Sequence, residues 1–337
     1  MVERIQLAHG GGGTLMQQLI EQELKRLYAD PAVVLHDAAS FPIPAGRLAF
    51  STDGYVVQPL EFPGGDIGSL AITGTANDLA MAGARPRQLS VALILEEGLE
   101  LALLRRVINS MRTAAGHCGV QVVTGDTKVV ERGKADGLFI TTSGIGVVEA
   151  PTDPHPSAIR PGDQLLVSGD LGRHGVAILA ARHHLALEPQ LASDCAPLWP
   201  LVEQLLAAGV SPHCLRDLTR GGLAAALQEL GEAVGRPLLI HEQLVPVIEP
   251  VRHTCELLGF DPLHLANEGR LLAVVAPQDR ATAEAVLEPL GGRWIGEVLH
   301  PHQHRAGAPL PQVRLRTSFG TERLLVPLSG ELLPRIC

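Results

Sequence analysis

Four prolines near the middle of the chain, Pro151, Pro154, Pro156 and Pro161, fall within eleven residues. Proline fixes its own backbone angle and has no N–H to donate, so such a cluster interrupts regular structure and marks a domain boundary. With 337 residues the chain is also too long for one ordinary hydrophobic core. The cluster therefore predicts two domains, one on each side of it.

Both halves mix short apolar strands with amphipathic helices, which predicts an α/β fold with mixed sheets. Before the prolines, helices are predicted at 14–28, 66–82 and 99–117, and strands at 33–35, 47–51, 88–95, 120–124 and 138–148. After them, helices are predicted at 174–184, 198–208, 223–234, 249–258 and 280–290, and strands at 165–168, 238–241, 271–276 and 294–299. The predicted divisions are 1–34 (a flexible glycine-rich N-terminus and helix), 35–150, 160–329 and 330–337, the last a mobile tail without a partner element.

The composition excludes some classes of function. A net charge of −9 argues against a nucleic-acid binder, which would carry a basic patch. The five cysteines are odd in number, are widely scattered and form no C-x-x-C pair, which indicates a reducing compartment rather than a disulfide framework. No signal peptide or membrane-spanning run is visible, so we expect a cytoplasmic protein that does not engage a membrane.

Acidic residues recur where strands give way to turns: Asp37, Asp53, Asp66, Asp78, Asp126, Asp170 and Asp217. Several carboxylates that converge on one crevice can bind Mg²⁺, and neighbouring glycines let backbone N–H groups approach phosphate oxygens. Gly-Asp pairs also make ordinary turns, which is the alternative for each one taken singly. Neither a G-x-x-x-x-G-K-[ST] nor a G-x-G-x-x-G motif is present, so ATP would bind by another route.

Three further groups carry chemistry of their own. Lys128 follows the Asp126 turn and either reaches a phosphate or is a solvated strand-end lysine. Glu268 precedes an apolar strand and is either a buried base or part of a turn. The tract of His300, His302 and His304 resembles a short metal-binding run, but it lies in a polar, proline-containing loop.

The chain ends in a cysteine, Cys337. A thiol at the end of a flexible peptide can be carried from one active site to another, and exposed thiols are otherwise prone to oxidation. Pro334 prevents an ordinary helix at this end, and Arg335 places a positive charge two residues from the thiol. The alternative is a disordered terminus without function.

Together these motifs resemble a known family. The runs Gly65-Asp66, 77–84, 124–128, Gly169-Asp170 and 217–222 are similar to those of the ATP-binding superfamily of aminoimidazole ribonucleotide synthetase. Its members also include selenophosphate synthetase, thiamine monophosphate kinase and formylglycinamidine synthetase. The resemblance covers roughly residues 37–299. Within the superfamily, the glycine-rich run 9–13 and the tail 334–337 are similar to a hydrogenase maturation family. Selenophosphate synthetase is disfavoured, because it carries its reactive Cys or selenocysteine in the N-terminal region and no cysteine precedes Cys118 here.

The resemblance implies a two-domain fold whose N-terminal domain, 35–150, binds ATP and forms a homodimer through its sheet. It implies an ATP site drawn from Asp37, Asp53, Asp66, Asn77, Asp78, Gly125, Asp126, Asp170 and Asp217, with Mg²⁺ held by Asp37, Asp53, Asp78 and Asp126. A carbamoyltransferase partner, HypF, would load a carbamoyl group on Cys337. ATP-dependent dehydration would turn it into a thiocyanate, with Glu268 as base and Lys128 positioning phosphate or relaying a proton. The cyano group would pass to iron on a HypC–HypD scaffold.

Two other readings stay open at this point. A small-molecule kinase or synthetase of the same superfamily would have no use for the tail. A non-catalytic assembly scaffold would use the tail for docking and would need no ATP site.

Overall fold

The computed structural model describes residues 3–11, 13–28, 38–42, 44–185, 187, 190–300, 313–326 and 335–337. Contacts divide the chain into two compact units. The first comprises Met1–Ala80, Ala84–Val148 and Cys337, and the second comprises Met81–Gly83 and Glu149–Ile336. Both units combine helices with mixed sheets, so the predicted α/β class is confirmed.

The first unit is built on a four-stranded sheet. Its elements are α1 (Thr14–Gln22), β1 (Leu48–Tyr55), β2 (Glu61–Phe62), β3 (Gly65–Asp66), α2 (Ile67–Met81), β4 (Ala84–Glu96), α3 (Leu101–Cys118), β5 (Gln121–Val130) and β6 (Leu138–Val148). The sheet has the order β1-β6-β4-β5, and β2 pairs with β3 in a separate ribbon. Strands β4 and β5 run parallel because α3 connects them as a crossover.

The two faces of the four-stranded sheet differ in what covers them. Side chains alternate between the faces, and Tyr55 and Thr142 point to the face covered by α2, where both bond Thr75. The opposite face carries Phe50, which is 69% exposed, and Leu48, which is 48% exposed. Large apolar side chains exposed together on one sheet face mark an interaction surface.

The second unit holds a seven-stranded sheet. Its elements are β7 (Gln164–Val167), α4 (Arg173–His183), α5 (Trp199–Ala207), β8 (Cys214–Asp217), α6 (Gly222–Val234), β9 (Leu238–His241), α7 (Glu249–Leu258), β10 (Leu271–Val275), α8 (Arg280–Leu287), β11 (Arg293–Val298), β12 (Val313–Arg316) and β13 (Glu322–Leu324). The strand order is β13-β12-β9-β11-β7-β10-β8. Every residue of β10 is buried, because this strand has a neighbour on each side and packed elements on both faces.

Two differences from the sequence-based expectations are relevant here. The strand predicted at 120–124 continues to Val130, so Asp126 and Lys128 lie within a strand rather than at a turn. Asp126 and Lys128 are exposed and Thr127 between them is buried, which is the alternation typical of a strand. The Gly125-Asp126 pair predicted a turn instead. Strands β8, β12 and β13 were not predicted, because each is four residues long or shorter and depends on distant pairing partners.

Within the described part of the chain, no helix has the length and apolar character needed to cross a membrane.

Candidate functional site

Three acidic residues that the sequence singles out, Asp170, Asp217 and Glu268, lie at the same end of three neighbouring strands of the seven-stranded sheet. Strand β10 lies between β7 and β8 and runs antiparallel to both. The ends of β7 and β8 therefore meet the start of β10, and the loops 168–172, 218–221 and 265–270 lie side by side. The topology gathers residues that are about fifty positions apart in the chain.

Asn267 fastens these loops to one another. Its Oδ1 accepts a hydrogen bond from the Gly172 N–H at 2.7 Å, and its Nδ2 donates to the carbonyl oxygens of Leu218 at 3.2 Å and Leu265 at 3.0 Å. The side chain is fully buried, where such a network is strong because each group is paired. The sequence offered no signal for this role, since Gly172 and Leu218 lie 95 and 49 positions from Asn267 along the chain.

Asp170 is held by two arginines. Its Oδ2 accepts from Arg173 Nε at 2.5 Å, and its Oδ1 accepts from Arg270 Nη2 at 2.9 Å. Burial alone would raise the pKa of this carboxyl group, but the hydrogen bond from Arg173 and the charge of Arg270 outweigh it, and the pKa is lowered. These bonds give Asp170 a structural role in the loop, and its contact with ATP stays a prediction.

Replacing Asp170 by asparagine is expected to lower the free energy of unfolding at pH 7 by about 2 kcal/mol, since two partly buried arginines lose a charged partner. A carboxyl group whose pKa is lowered by folding stabilises the protein above its unfolded pKa, about 3.9, and loses that effect as the pH falls through the folded pKa. The difference from wild type should therefore shrink below about pH 4. Urea unfolding at pH 7 and in acid measures it, with the exposed Glu131→Gln as control. A difference that does not change with pH would contradict this account.

Asp217 and Glu268 complete this group. Asp217 is the last residue of β8 and is buried, with Arg216 Nη1 at 3.8 Å from its Oδ1. Glu268 is 3% exposed, and its backbone N–H donates to Asp194 Oδ1 at 3.1 Å. The side chain of Asp194 is itself fully buried. Asp194 was missed by sequence reasoning, because it lies in an irregular stretch without a recognisable motif.

The C-terminal tail is held by its main chain. In the second unit the carbonyl oxygen of Ile336 accepts a hydrogen bond from His174 Nε2 at 2.8 Å, and that of Arg335 accepts from Arg182 Nη2 at 2.9 Å. Ile336 is 6% exposed. The expectation that the tail has no partner was therefore wrong for these residues. Its partners lie on α4, more than 150 positions away, where no local pattern could indicate them.

His174 is fully buried, and burial lowers its pKa, so the ring is neutral at pH 7. Because a carbonyl oxygen can only accept, Nε2 carries the ring hydrogen and Nδ1 is left as an acceptor. Nδ1 lies 2.8 Å from the hydroxyl oxygen of Ser193. The hydrogen bond to the tail is therefore specified in direction as well as in distance.

In the first unit, Asp53 and Asp78 lie on the helix-covered side of the sheet. Asp78, on α2, accepts a hydrogen bond from the Ser51 hydroxyl at 2.6 Å, and Ser51 and Asp53 are alternate residues of β1 on one face. Asn77, beside Asp78, is buried. The carbonyl oxygen of Cys337 accepts from the Val56 N–H, directly after β1, at 3.3 Å.

Asp126 and Lys128 point to the opposite side. The register aligns Asp53, Thr142, Val91 and Gly125 across the sheet, so Asp126, one residue further on, faces the other way. Lys128 Nζ lies 2.8 Å from Asp126 Oδ2, and this hydrogen-bonded lysine is the main reason why the pKa of Asp126 is lowered. The structure thus separates Asp126 from Asp53 and Asp78.

The predicted Mg²⁺ ligands fit a metal ion only in part. Asp53, Asp78 and the Ser51 hydroxyl are oxygen donors of the kind that Mg²⁺ takes. Among the residues that the structure describes, however, no three His, Cys, Asp or Glu side chains are grouped so that they could hold a metal. Asp37 lies outside the described residues. The four-ligand set therefore stays a prediction.

Two other predicted ATP ligands have structural reasons for their identity. Asp66 directly precedes α2, and its Oδ1 accepts from the N–H groups of Gly68 and Ser69, both at 2.8 Å, as an N-cap does. Burial raises the pKa of Asp66 despite these bonds. Gly125 is close to β4, and a Cβ at this position would collide with the Val91 carbonyl oxygen. Neither observation tests a contact with ATP.

Of the histidine tract, only His300 is described, and it is near Gly162. His302 and His304 lie outside the described residues. Among the described residues, no group of three His, Cys, Asp or Glu side chains at this position could hold a metal ion.

Comparison with known proteins places these features in a family. Residues 32–148 match the model of the AIR synthase related protein, N-terminal domain, and residues 160–307 match that of the C-terminal domain. The chain is 48% identical to the carbamoyl dehydratase HypE of Rhodobacter capsulatus, covering 99% of this chain and 98% of the relative. It is similar to the crystal structure of hydrogenase maturation protein HypE in complex with ATP, with a TM-score of 0.92, 45% identity, and coverage of 98% and 99%. A HypE–HypF complex is also similar, with a TM-score of 0.78, 41% identity, and coverage of 83% of this chain and 90% of that chain.

Proposed function

Since this chain belongs to the HypE family of AIR synthase related proteins, and is thus a carbamoyl dehydratase of hydrogenase maturation, we propose that its substrate is an S-carbamoyl group on its own Cys337. The product is a thiocyanate on the same sulfur. The cyano group then serves as a ligand of the iron of a [NiFe]-hydrogenase.

One observation carries this proposal. The backbone of Cys337 is hydrogen-bonded to Val56, directly after β1, the strand that bears Asp53 and, through Ser51, contacts Asp78. The main chain of Cys337 thus contacts the first unit at the residue that directly follows the strand bearing Asp53, which supports a site for the tail near the proposed cation ligands.

The chemistry explains why ATP is needed. Oxide is a poor leaving group, so the carbamoyl oxygen first attacks the γ-phosphorus; the new O–P bond forms as the bond to ADP breaks. The C–O bond then breaks with phosphate as the leaving group, while two protons leave the nitrogen and the C≡N bond forms. The net products are ADP, inorganic phosphate carrying one proton, and one proton released to solvent.

The chain's residues have separate roles in this scheme. Glu268, held in a buried loop by Asp194 and Asn267, takes a nitrogen proton. Lys128, paired with Asp126, orients phosphate or relays a proton. Mg²⁺, where bound, would offset the charge on the phosphates, with Asp37, Asp53 and Asp78 as its proposed ligands; Asp126, which faces the other side of the sheet, is left out of this set. ATP as the nucleotide is supported by the ATP complex of the similar HypE.

The partners follow from the same chemistry. HypF, which is present in the complex with a similar HypE, is the proposed carbamoyl donor, and a HypC–HypD complex is the proposed acceptor of the cyano group. We also propose a homodimer formed through the open face of the four-stranded sheet. Its exposed Phe50 and Leu48, together with Ile94 at 37% exposure, would be covered by the second copy.

Replacing Phe50 by aspartate is expected to convert the dimer into a monomer, because the introduced charge would be buried without a partner. Sedimentation velocity at micromolar concentration measures the change, and Leu257→Asp, at an exposed position of α7, is the control. A wild-type chain that is monomeric at these concentrations would contradict the proposed homodimer through this sheet face.

The proposed reaction is tested by mass spectrometry of the tail. The chain is incubated with HypF and carbamoyl phosphate, and MgATP is added afterwards. Cleavage after Glu331 releases the peptide Leu332–Cys337. We expect a carbamoyl adduct that loses one water only with MgATP. An unmodified peptide in the presence of active HypF would point instead to a freely diffusing substrate of a superfamily kinase or synthetase.

A further inference from the structure

Two adjacent residues of the second unit connect the docked tail with the proposed base. The carbonyl oxygen of Ile336 accepts from His174 Nε2 at 2.8 Å, and His174 Nδ1 lies 2.8 Å from Ser193 Oγ. The next residue, Asp194, accepts from the Glu268 N–H at 3.1 Å. Hydrogen bonds therefore run from the tail through His174 to Ser193, and from the next residue, Asp194, to the backbone of Glu268; the peptide link between Ser193 and Asp194 joins the two parts.

The direction of the bonds on the tail side is determined. Ser193 Oγ accepts from the Cys195 N–H at 3.1 Å, which leaves its own hydrogen to donate to His174 Nδ1. His174 is neutral and donates from Nε2 to Ile336. Each group in this part of the path has a matching donor or acceptor. A substitution at Ser193 would therefore alter the position of the His174 ring and, through it, the hydrogen bond to the Ile336 carbonyl oxygen.

On the other side, the loops of Asp194 and Glu268 are in direct contact. The Asp194 side chain is fully buried, and Arg270 Nε lies 3.8 Å from its Oδ2. A Cβ at position 269 would collide with the Asp194 carbonyl oxygen, so glycine is required where the two loops meet. A shift of residues 193–194 would therefore shift Glu268 as well.

We propose that Ser193 and Asp194 are positioning residues for the dehydration: they hold the docked tail and Glu268 in one fixed arrangement. Ser193 acts through His174 on the Ile336 carbonyl, one residue before the thiol. Asp194 acts on the Glu268 backbone. The part that concerns Glu268 rests on the proposed function, whereas the part that concerns tail docking stands without it. Arg182, which donates to the Arg335 carbonyl at 2.9 Å, is a second attachment of the same tail.

Tail docking is tested by the rate at which iodoacetamide alkylates the Cys337 thiol, followed on the Leu332–Cys337 peptide. His174→Asn places an amide near the position of Nδ1 and loses the donor to Ile336, whereas His174→Gln places an amide nitrogen near the position of Nε2 and keeps it. We expect His174→Asn to raise the rate roughly 5–10-fold, the effect of losing about one buried hydrogen bond, and His174→Gln to stay within about twofold of wild type.

Because a change at a buried histidine can destabilise the fold, Arg182→Ala provides a second test at a partly exposed position. It is expected to raise the alkylation rate roughly threefold. His241→Asn, at a histidine that packs on Trp294, is the matched control and should not alter the rate. Equal rates in wild type, His174→Asn and Arg182→Ala, with all three folded by circular dichroism, would overturn the tail part of the proposal.

Positioning of Glu268 is tested in single-turnover conversion of the carbamoylated tail. Ser193→Ala and Asp194→Ala are expected to slow conversion roughly tenfold, while the KM for MgATP stays within about twofold. Ser193→Thr and Asp194→Asn keep the hydroxyl and the Oδ1 acceptor, respectively, and should restore the rate. Variants that fold and convert normally would overturn this part. If the wild-type tail is never dehydrated, the proposed function fails, and the alkylation result is unaffected.

Discussion

Replacing Cys337 by serine is expected to abolish carbamoylation of the tail and all delivery of cyanide. The thiolate is the nucleophile, and a serine hydroxyl at the same place hardly ionises near pH 7. The backbone bonds of residues 335–337 do not involve the side chain, so docking and ATP binding should be retained. Peptide mass spectrometry measures the adduct, and calorimetry measures binding of MgATP.

Three of the other four cysteines support this assignment, since their thiols are buried, whereas Cys195 is partly exposed. Burial raises the pKa of Cys118 and Cys214 to about 12 and that of Cys255 to about 11, which suppresses their thiolates. Cys337 is partly exposed. Cys255→Ala is therefore the matched control, because it removes a thiol and should leave the adduct on Cys337 intact. Cyanide transfer by the Cys337→Ser variant would end the carrier hypothesis.

Replacing Glu268 by glutamine is expected to trap the carbamoylated tail. Glutamine has almost the same shape but cannot accept the nitrogen proton, and loss of a general base typically slows a reaction about 10²–10⁴-fold. The backbone N–H of residue 268 can still donate to Asp194, so the loop should keep its place. Single-turnover mass spectrometry with MgATP follows the loss of water from the adduct.

Glu256→Gln, at an exposed position of α7, is the control for the change of charge and should convert normally. Lys128→Ala is measured beside it, because this lysine is the second group proposed to handle a proton. Normal conversion by Glu268→Gln together with slow conversion by Lys128→Ala would assign the base to Lys128.

Part of the site was predictable from local patterns. Asp170 follows a predicted strand and Glu268 precedes one, and a strand end is readable from a run of apolar residues. Asp217 was singled out as an acid in a turn-like motif, and it is the last residue of β8, which was not predicted. The structure places these three at the same end of three neighbouring strands because β10 lies antiparallel between β7 and β8. Asp126 was predicted in the same way and is separated from Asp53 and Asp78, because β5 continues through it and the alternation of side chains turns it to the other face.

The residues that sequence reasoning missed share one physical property. Asn267, Asp194 and His174 each bond a group at least 74 positions away in the chain, and Ser193 bonds His174, 19 positions away, so no local pattern indicates their partners. A lone buried histidine or serine has no pattern, whereas a helix or strand repeats its signal several times.

The sequence by itself determined the α/β class, the strand-end acids, the terminal thiol and the family, because each depends on residues that are neighbours in the chain or on a motif that is read locally. Only the tertiary structure decided which acids meet, which face Asp126 occupies and what holds the tail. Those outcomes depend on strand order and on hydrogen bonds between residues 74 to 162 positions apart. Such bonds form only when the whole chain has folded, because the cost of closing long loops is met by the packing of the complete core.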